Sequence, residues 1–181
     1  MSLIVSIVGS PSSDSRTRAL SETVNAALVQ QRFEVTTINV RDLPPEDLLW
    51  GRTESPAMKE ALGLVDRARG VVVATPIYKA AYTGVLKSFL DLLPQFGLRG
   101  KIVLPLATGG TIAHVLALDY ALRPVLSSLG AMHVVAGLFI LDKLLVRRPT
   151  DHGLDIDPEI AARLDVVVAD FVASLRANVG R

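Results

Sequence analysis

The sequence of 181 residues contains no cysteine, and its charges nearly cancel, with 19 lysines and arginines against 18 aspartates and glutamates. Without cysteine the chain forms no disulfide, no thiolate nucleophile and no cysteine-ligated metal site. A net charge of +1 gives no electrostatic signature of a nucleic-acid or membrane-surface protein. His114, His133 and His152 form no i, i+4 pair, so we expect no metal site.

Long apolar segments are also missing. The apolar run at residues 3–8 is far shorter than the roughly 20 residues that span a bilayer. A secretory signal has a basic segment before its apolar run and a cleavage site after it, and neither is found here. We therefore expect a cytoplasmic protein without a membrane partner. Half of the residues are hydrophobic, which is typical of a globular chain, and the length predicts one domain over residues 1–181.

The apolar residues are arranged in strand-like and helix-like segments that alternate along the chain. Three strand-like runs are nearly continuous in valine, isoleucine, leucine and alanine, which indicates strands buried on both faces of a parallel sheet. The run at 33–40 alternates and suits an edge strand. The predicted strands are 3–8, 33–40, 70–75, 101–108 and 132–141. This pattern predicts an α/β three-layer sandwich with a flavodoxin-like, five-stranded parallel sheet in order 2-1-3-4-5 and helices on both faces.

Helical periodicity lies between and after these strands. Apolar stripes predict helices around residues 20–28 and 58–65. A third helix is expected over residues 82–93, where Pro94 ends it, and a fourth over residues 112–129, where Gly130 ends it. The last helix should begin after Asp157, a suitable N-cap. In such a sheet the ligand binds beyond the carboxyl ends of the strands at the switch point.

The loop after the first strand, GSPSSDSRTR at residues 9–18, is rich in hydrogen-bond donors. A helix N-terminus with unpaired amides binds anions readily, and Arg16 or Arg18 adds a cation. The hydroxyl groups belong to Ser10, Ser12, Ser13, Ser15 and Thr17. This set suits a phosphate monoester. The alternative is that Ser15 only caps the helix. Neither the triphosphate P-loop nor the G-x-G-x-x-G pattern is present.

Two further loops suit a flat ring. After the third strand, TPIYK at residues 75–79 presents an apolar and an aromatic residue, with amides that can reach a polar ring edge. After the fourth strand, ATGGTIAH at residues 107–114 contains two glycines that allow close backbone approach. Each loop alone also fits an ordinary surface turn. Together, a phosphate loop and two ring-binding loops predict flavin mononucleotide (FMN).

The chain resembles the NAD(P)H-dependent FMN reductases of the flavodoxin-like superfamily, and most of all the branch paired with alkanesulfonate monooxygenases. The matching segments are GSP…SRT, PPEDLLW, SPAMK, VVATPIYKAAYTGVLKSFLDLLP, LPLATGGTIAHVLALDYALRPVLSSLGA and, more weakly, the last helix. The resemblance extends to about residue 135 and fades through residues 142–157. It implies that NADPH or NADH reduces FMN and that FMNH2 passes to a monooxygenase.

The resemblance also implies which residues contact FMN. Those at the phosphate are Ser10, Ser15, Arg16 and Thr17; those along the isoalloxazine are Pro76, Ile77, Tyr78 and Lys79; those on the far side are Thr108, Gly109, Gly110 and Thr111. Hydride moves directly from the nicotinamide to the flavin, so we expect no catalytic acid–base residue.

The fourth helix is apolar nearly all round, which indicates contact with another subunit as well as with the core. The resembling branch has at Tyr120 an inserted tyrosine that forms a π-bulge, a feature common at functional sites. We expect Tyr120 at a dimer–dimer interface near the flavin of a facing subunit, in a homodimer or homotetramer. The alternative is a plain, partly exposed helix residue.

Two rival functions share this site. One is a quinone or azo reductase that retains FMN, and the other is a non-enzymatic electron carrier. The preference for NADPH or NADH is left open, because Arg16, Arg18, Arg147 and Arg148 each suit a 2′-phosphate and no spacing selects among them. Trp50 covers either a ligand or an interface, and His114 is expected in the first turn of the fourth helix.

Overall fold

A computed structural model describes residues 2–148 and 153–177, in which a parallel sheet lies between two layers of helices. The strands are β1 (Leu3–Val8), β2 (Glu34–Asn39), β3 (Gly70–Tyr78), β4 (Ala81–Tyr82), β5 (Ile102–Gly109), β6 (His133–Val134), β7 (Leu138–Leu141), β8 (Leu145–Arg147) and β9 (Leu154–Ile156). The helices are α1 (Arg16–Gln30), α2 (Pro45–Trp50), α3 (Pro56–Arg67), α4 (Gly84–Leu90), α5 (Arg123–Ser128) and α6 (Pro158–Ala177). Among the residues described, no helix combines the length and hydropathy needed to cross a bilayer.

The main sheet has the order β2-β1-β3-β5-β6, and β7 also pairs with β5. This is the predicted flavodoxin-like order, since β6 and β7 together are the fifth strand and β4 is a short addition. One core cluster packs α3, α4 and α5 against the sheet, and the other packs α1 and α6 against its opposite face. The alternating strand β2 is at the edge, as its pattern predicts.

The fifth strand is broken opposite a proline. β6 pairs with Ile102 and Val103, and β7 pairs with β5 again from Leu106 onwards. Pro105 has no amide hydrogen to donate, so the ladder is interrupted there. A Cβ at Gly137 would lie 2.6 Å from the Pro105 carbonyl oxygen, which explains why the chain bends past this point at a glycine.

The third predicted helix, residues 82–93, is wrong at both ends. Tyr82 is in β4, which pairs back with β3, and α4 begins at Gly84 after the N-cap Thr83. Its C-terminal end at Leu90 is followed by hydrogen bonds from Leu92 to Phe89 and from Leu93 to Leu90. These i to i+3 bonds tighten the chain before Pro94, so the α-helix stops earlier than the proline.

The fourth predicted helix, residues 112–129, is not continuous. A 3-10 turn at Ile112–His114 and a π-helix at Leu118–Leu122 precede α5. Gly130, with φ of +85°, ends α5 as predicted. The last helix also begins as predicted, because the Asp157 carboxylate accepts hydrogen bonds from the amides of Glu159 and Ile160 at 3.0 and 3.4 Å.

Candidate functional site

Three loops meet at the carboxyl edge of the sheet, after β1, β3 and β5. Parallel pairing aligns the ends of these strands, and the Gly9 amide continues the pairing by donating to the Ala74 carbonyl at 2.8 Å. The hydroxyls of Thr17 and Thr108 share a buried hydrogen bond of 2.8 Å. This bond joins the first loop directly to the end of β5, so the structure brings the predicted phosphate loop beside the predicted ring-binding loop.

The first loop leads into the N-terminus of α1. Ser15 is the N-cap, and its Oγ accepts from the Arg18 amide at 3.1 Å. The Ser10 Oγ accepts from the Ser12 amide at 3.4 Å, which closes a small turn. Capping and anion binding are compatible here, because a hydroxyl that accepts one hydrogen bond still has its own hydrogen to donate. The amides of the first turn of α1 point out of the helix end, as an oxyanion site requires.

Gly9 is packed tightly at the start of this loop. A Cβ at this position would overlap the Leu86 side chain of α4, so only glycine fits. The hydroxyl of Thr83 donates to the Gly9 carbonyl and also accepts from the Leu86 amide at 3.0 Å. The loop after β1 is therefore held in place by the N-terminus of α4.

A hairpin that sequence reasoning missed lies against the same loop. β8 and β9 pair antiparallel, and the Arg16 Nε donates to the Leu145 carbonyl at 3.0 Å. Arg147 forms an ion pair with Asp14, 3.1 Å from Nε to carboxylate oxygen. The Arg16 side chain therefore points towards the hairpin, and this bond uses one of its five N–H donors. The sequence signal for this hairpin is weak, since it consists of two short segments with apolar residues, LLVR and LDI.

The second loop is a tight β-hairpin rather than the start of a helix. Ile77 pairs with Tyr82 and Tyr78 with Ala81. Lys79 and Ala80 form the turn with φ of +52° and +67°, the backbone of a type I′ turn. Tyr78 is 52% exposed, whereas Ile77 is buried. The turn therefore presents an aromatic side chain and backbone groups to solvent beside the phosphate loop.

The third loop and the π-helix complete this surface. Gly110 has open space where a Cβ would be, and Thr111 caps the following 3-10 turn. Tyr120, within the π-helix, donates its hydroxyl to the Ala80 carbonyl at 2.9 Å. Tyr120 is itself 56% exposed. The structure thus places Tyr120 against the turn of the second loop in its own chain.

The donor set and the surfaces fit an aromatic phosphate ester. Hydroxyls and helix amides in the first loop suit a phosphate, and the exposed second and third loops suit a flat ring with polar edges. FMN, when bound, supplies a ring that accepts hydride; the protein's residues bind and orient it. The predicted contact residues lie at the carboxyl ends of β3 and β5, in the loops that follow them, and around the start of α1. Four of them, residues 76, 77, 108 and 109, are buried, and the hydroxyl of Thr17 is bonded to that of Thr108. Sheet order and loop positions together define a flavodoxin-like domain with a candidate flavin-nucleotide site.

Comparison with known proteins identifies the family. The family model for NADPH-dependent FMN reductases matches residues 2–144. An FMN reductase (NADPH) of Escherichia coli is 44% identical over 172 residues, 95% of this chain and 89% of that protein. An FMN reductase (NADPH) of Pseudomonas putida is 52% identical over 140 residues, 77% of this chain and 71% of that protein. The solved apo structure of an NADH:FMN oxidoreductase is similar with a TM-score of 0.87 and 45% identity, covering 96% of this chain and 90% of that one.

The chain therefore belongs to the NADPH-dependent FMN reductase family. It is an oxidoreductase that uses FMN and a nicotinamide nucleotide. The electron-carrier alternative does not agree with this membership.

Proposed function

We propose that this protein treats FMN as an exchangeable substrate and supplies FMNH2 to a two-component monooxygenase of the alkanesulfonate type. The observation that carries the proposal is the exposure of the ring-binding surface, where Tyr78 is 52% exposed and residues 79 and 80 are exposed as well. A ring that rests on an open surface dissociates more readily than one enclosed by protein, because less of its apolar area is removed from water. The alkanesulfonate type is supported by the sequence segments, such as TPIYKAAYTG and LPLATGGT, in which the chain resembles the reductases paired with alkanesulfonate monooxygenases.

The FMN contacts are part of the same proposal. Ser10, Ser15 and the first-turn amides of Arg16 and Thr17 hold the phosphate, and the Arg16 guanidinium adds charge from the hairpin side. The ring lies along Pro76, Ile77, Tyr78 and Lys79, with Thr108, Gly109, Gly110 and Thr111 at its far side. Backbone amides near the ring's polar edge stabilise the negative charge of the reduced flavin.

Assembly into a homodimer or homotetramer is proposed through the surface around Tyr120. Ile112, Val115, Leu116 and Tyr120 are exposed apolar residues on one segment, and contiguous apolar surface is typical of contacts between subunits. Tyr120→Ala should shift the oligomer to smaller species in sedimentation experiments. Unchanged assembly and flavin release in this variant would contradict an interface role.

The function is tested by steady-state oxidation of NADPH and NADH with FMN, FAD and riboflavin as acceptors. We expect a protein that purifies without bound flavin and prefers FMN to riboflavin. Arg16→Ala should reduce the FMN preference about tenfold, the effect of one charge-assisted hydrogen bond. Arg163→Ala, on the exposed side of α6, is the matched control and should not change it.

Two outcomes would contradict the proposal. An FMN preference that is unchanged in Arg16→Ala would remove the phosphate assignment of Arg16. A protein that purifies with tightly bound FMN and reduces quinones or azo compounds instead of releasing FMNH2 would favour the flavin-retaining alternative. Transfer to a partner is measured by adding an alkanesulfonate monooxygenase and following sulfite release, which we expect to depend on this protein.

A further inference from the structure

The β8–β9 hairpin is attached to the first loop at two points. The Arg16 Nε donates to the Leu145 carbonyl at 3.0 Å, and the Arg147 Nε donates to an Asp14 carboxylate oxygen at 3.1 Å. Residues 14 and 16 lie on either side of the N-cap Ser15, and residues 145 and 147 both lie on β8. The hairpin therefore holds the chain immediately before and after the residue at which α1 begins.

Asp14 is an unfavourable neighbour for a phosphate. It is the single acidic residue in the loop at residues 9–18, and it directly precedes Ser15, whose hydroxyl is proposed to hold the flavin phosphate. Because consecutive Cα atoms are about 3.8 Å apart, the Asp14 carboxylate lies within one Debye length, about 10 Å at 0.1 M salt, of an anion at the N-terminus of α1. Two negative groups at this separation repel each other. The loop therefore contains a charge that weakens phosphate binding unless it is neutralised.

Arg147 provides the neutralising charge. Its side chain is 20% exposed, whereas that of Asp14 is 78% exposed. The arginine is thus held largely by its surroundings in the hairpin, and it loses little side-chain entropy in the ion pair. That entropy loss is one reason why most exposed ion pairs are weak. Since Arg147 is engaged with Asp14, its effect on a bound phosphate comes from the net charge of the loop.

We propose that Arg147 is a positioning residue for the flavin phosphate: it cancels the charge of Asp14 and draws the carboxylate towards the hairpin. The inference rests on the proposed binding of FMN and adds a residue that sets its affinity. Residue 147 lies beyond residues 2–144, the part that the family model matches, so that match assigns no role to it. Riboflavin lacks the phosphate, so its binding should not depend on Arg147.

The test is titration of the flavin-free protein with FMN and with riboflavin at low ionic strength, followed by flavin fluorescence. We expect Arg147→Gln to weaken FMN binding about fivefold, the size of the interaction between a dianion and one charge across several ångströms of water. Riboflavin binding should stay unchanged. Arg147→Lys keeps the charge and should bind FMN almost as the wild type does. Equal loss of affinity for both flavins in Arg147→Gln would show a structural role alone and overturn the inference.

The matched control is Lys87→Gln, which removes the cation of another ion pair. The Lys87 Nζ lies 2.7 Å from an Asp91 carboxylate oxygen, on α4 in the helix layer opposite α1. This variant, like Arg147→Gln, leaves one carboxylate without its partner, but on the other side of the sheet. It should change the affinity for neither flavin.

A double variant separates the charge of Arg147 from its other contacts. Asp14→Asn alone should bind FMN about fivefold more tightly than the wild type. Asp14→Asn combined with Arg147→Gln should return to the wild-type affinity, because the net charge of the loop is then restored. A double variant that binds FMN as weakly as Arg147→Gln would overturn the inference, since Arg147 would then act by direct contact with the phosphate or through folding of the hairpin. Added salt should reduce all of these differences.

The titration distinguishes two kinds of failure. If the wild type binds FMN more tightly than riboflavin and Arg147→Gln binds both as the wild type does, only the role of Arg147 is wrong. If the wild type binds FMN and riboflavin equally, the phosphate site is wrong and the role of Arg147 falls with it. If FMN stays bound to the protein through turnover, the exchangeable-substrate proposal fails, and the titration after removal of the flavin still decides the inference.

Discussion

Replacing Thr83 by valine tests how the candidate site is held together. Thr83 is 3% exposed, and its single hydroxyl serves two elements. It accepts from the Leu86 amide at 3.0 Å, which caps α4, and it donates to the Gly9 carbonyl in the phosphate loop. Valine keeps the shape of the side chain and removes both bonds. The variant therefore separates hydrogen bonding from packing.

The expected loss is the sum of two effects. Removing the cap costs about 1 kcal/mol, and leaving the buried Gly9 carbonyl without a donor costs about 1–3 kcal/mol. We therefore expect Thr83→Val to lower the free energy of unfolding by about 3 kcal/mol. For a chain of this length that corresponds to a fall in Tm of about 10 °C. Affinity for FMN should fall as well, because the loop after β1 loses its attachment to α4.

The assay is urea unfolding of the flavin-free protein, followed by far-UV circular dichroism. Thr83→Ser keeps both hydrogen bonds and should lose only about 1 kcal/mol, from one buried methyl group. Ser55→Ala removes the cap of α3, where the Ser55 hydroxyl accepts from the Met58 amide at 3.3 Å, and should cost about 1 kcal/mol. If Thr83→Val costs no more than Ser55→Ala, the bond to Gly9 contributes nothing and the reasoning is refuted.

Two further variants test other parts of the fold. Burial lowers the pKa of Lys101 below 10.5, so between its folded pKa and 10.5 the unfolded chain binds more protons and stability rises with pH. The test compares the wild type with Lys101→Met, which has no group to titrate at this position, by urea unfolding at several pH values. The difference in the free energy of unfolding, wild type minus variant, should increase from pH 8 towards about pH 10. A decrease over this range would contradict the prediction. Ala80→Gly should raise the free energy of unfolding by about 1 kcal/mol, because Ala80 has φ of +67°. The matched control, Ala81→Gly in β4, should lower the free energy of unfolding. Equal effects of the two glycine substitutions would show that the left-handed backbone of Ala80 is not strained.

The strands of the sheet could be predicted because burial on both faces leaves a local signature. The predicted strands at 70–75 and 101–108 are mostly apolar, and apart from residue 101 they lie within the central strands β3 and β5. The alternation in residues 33–40 likewise places β2 at the edge. The break in the fifth strand could not be read in the same way. It arises because Pro105, on the neighbouring strand, cannot donate to the ladder.

The second loop shows where local signals mislead. Lys79 and Ala80 are not typical residues of a type I′ turn, which favours asparagine and glycine. The apolar pattern from residue 82 onwards therefore predicts a helix. In the structure the Tyr120 hydroxyl binds the Ala80 carbonyl, and Thr75 Oγ accepts from the Thr83 amide at 3.2 Å. These tertiary bonds stabilise a hairpin that its own residues do not specify.

By itself the sequence determined the layered α/β architecture and the chemical character of the three loops, since periodicity, glycine and hydroxyl content are properties of short segments. Only the tertiary structure decided where the charged side chains lie. Arg16 binds Leu145, 129 positions away, and Arg147 pairs with Asp14, 133 positions away. Such pairs depend on how the hairpin packs against α1, and no local pattern carries that information.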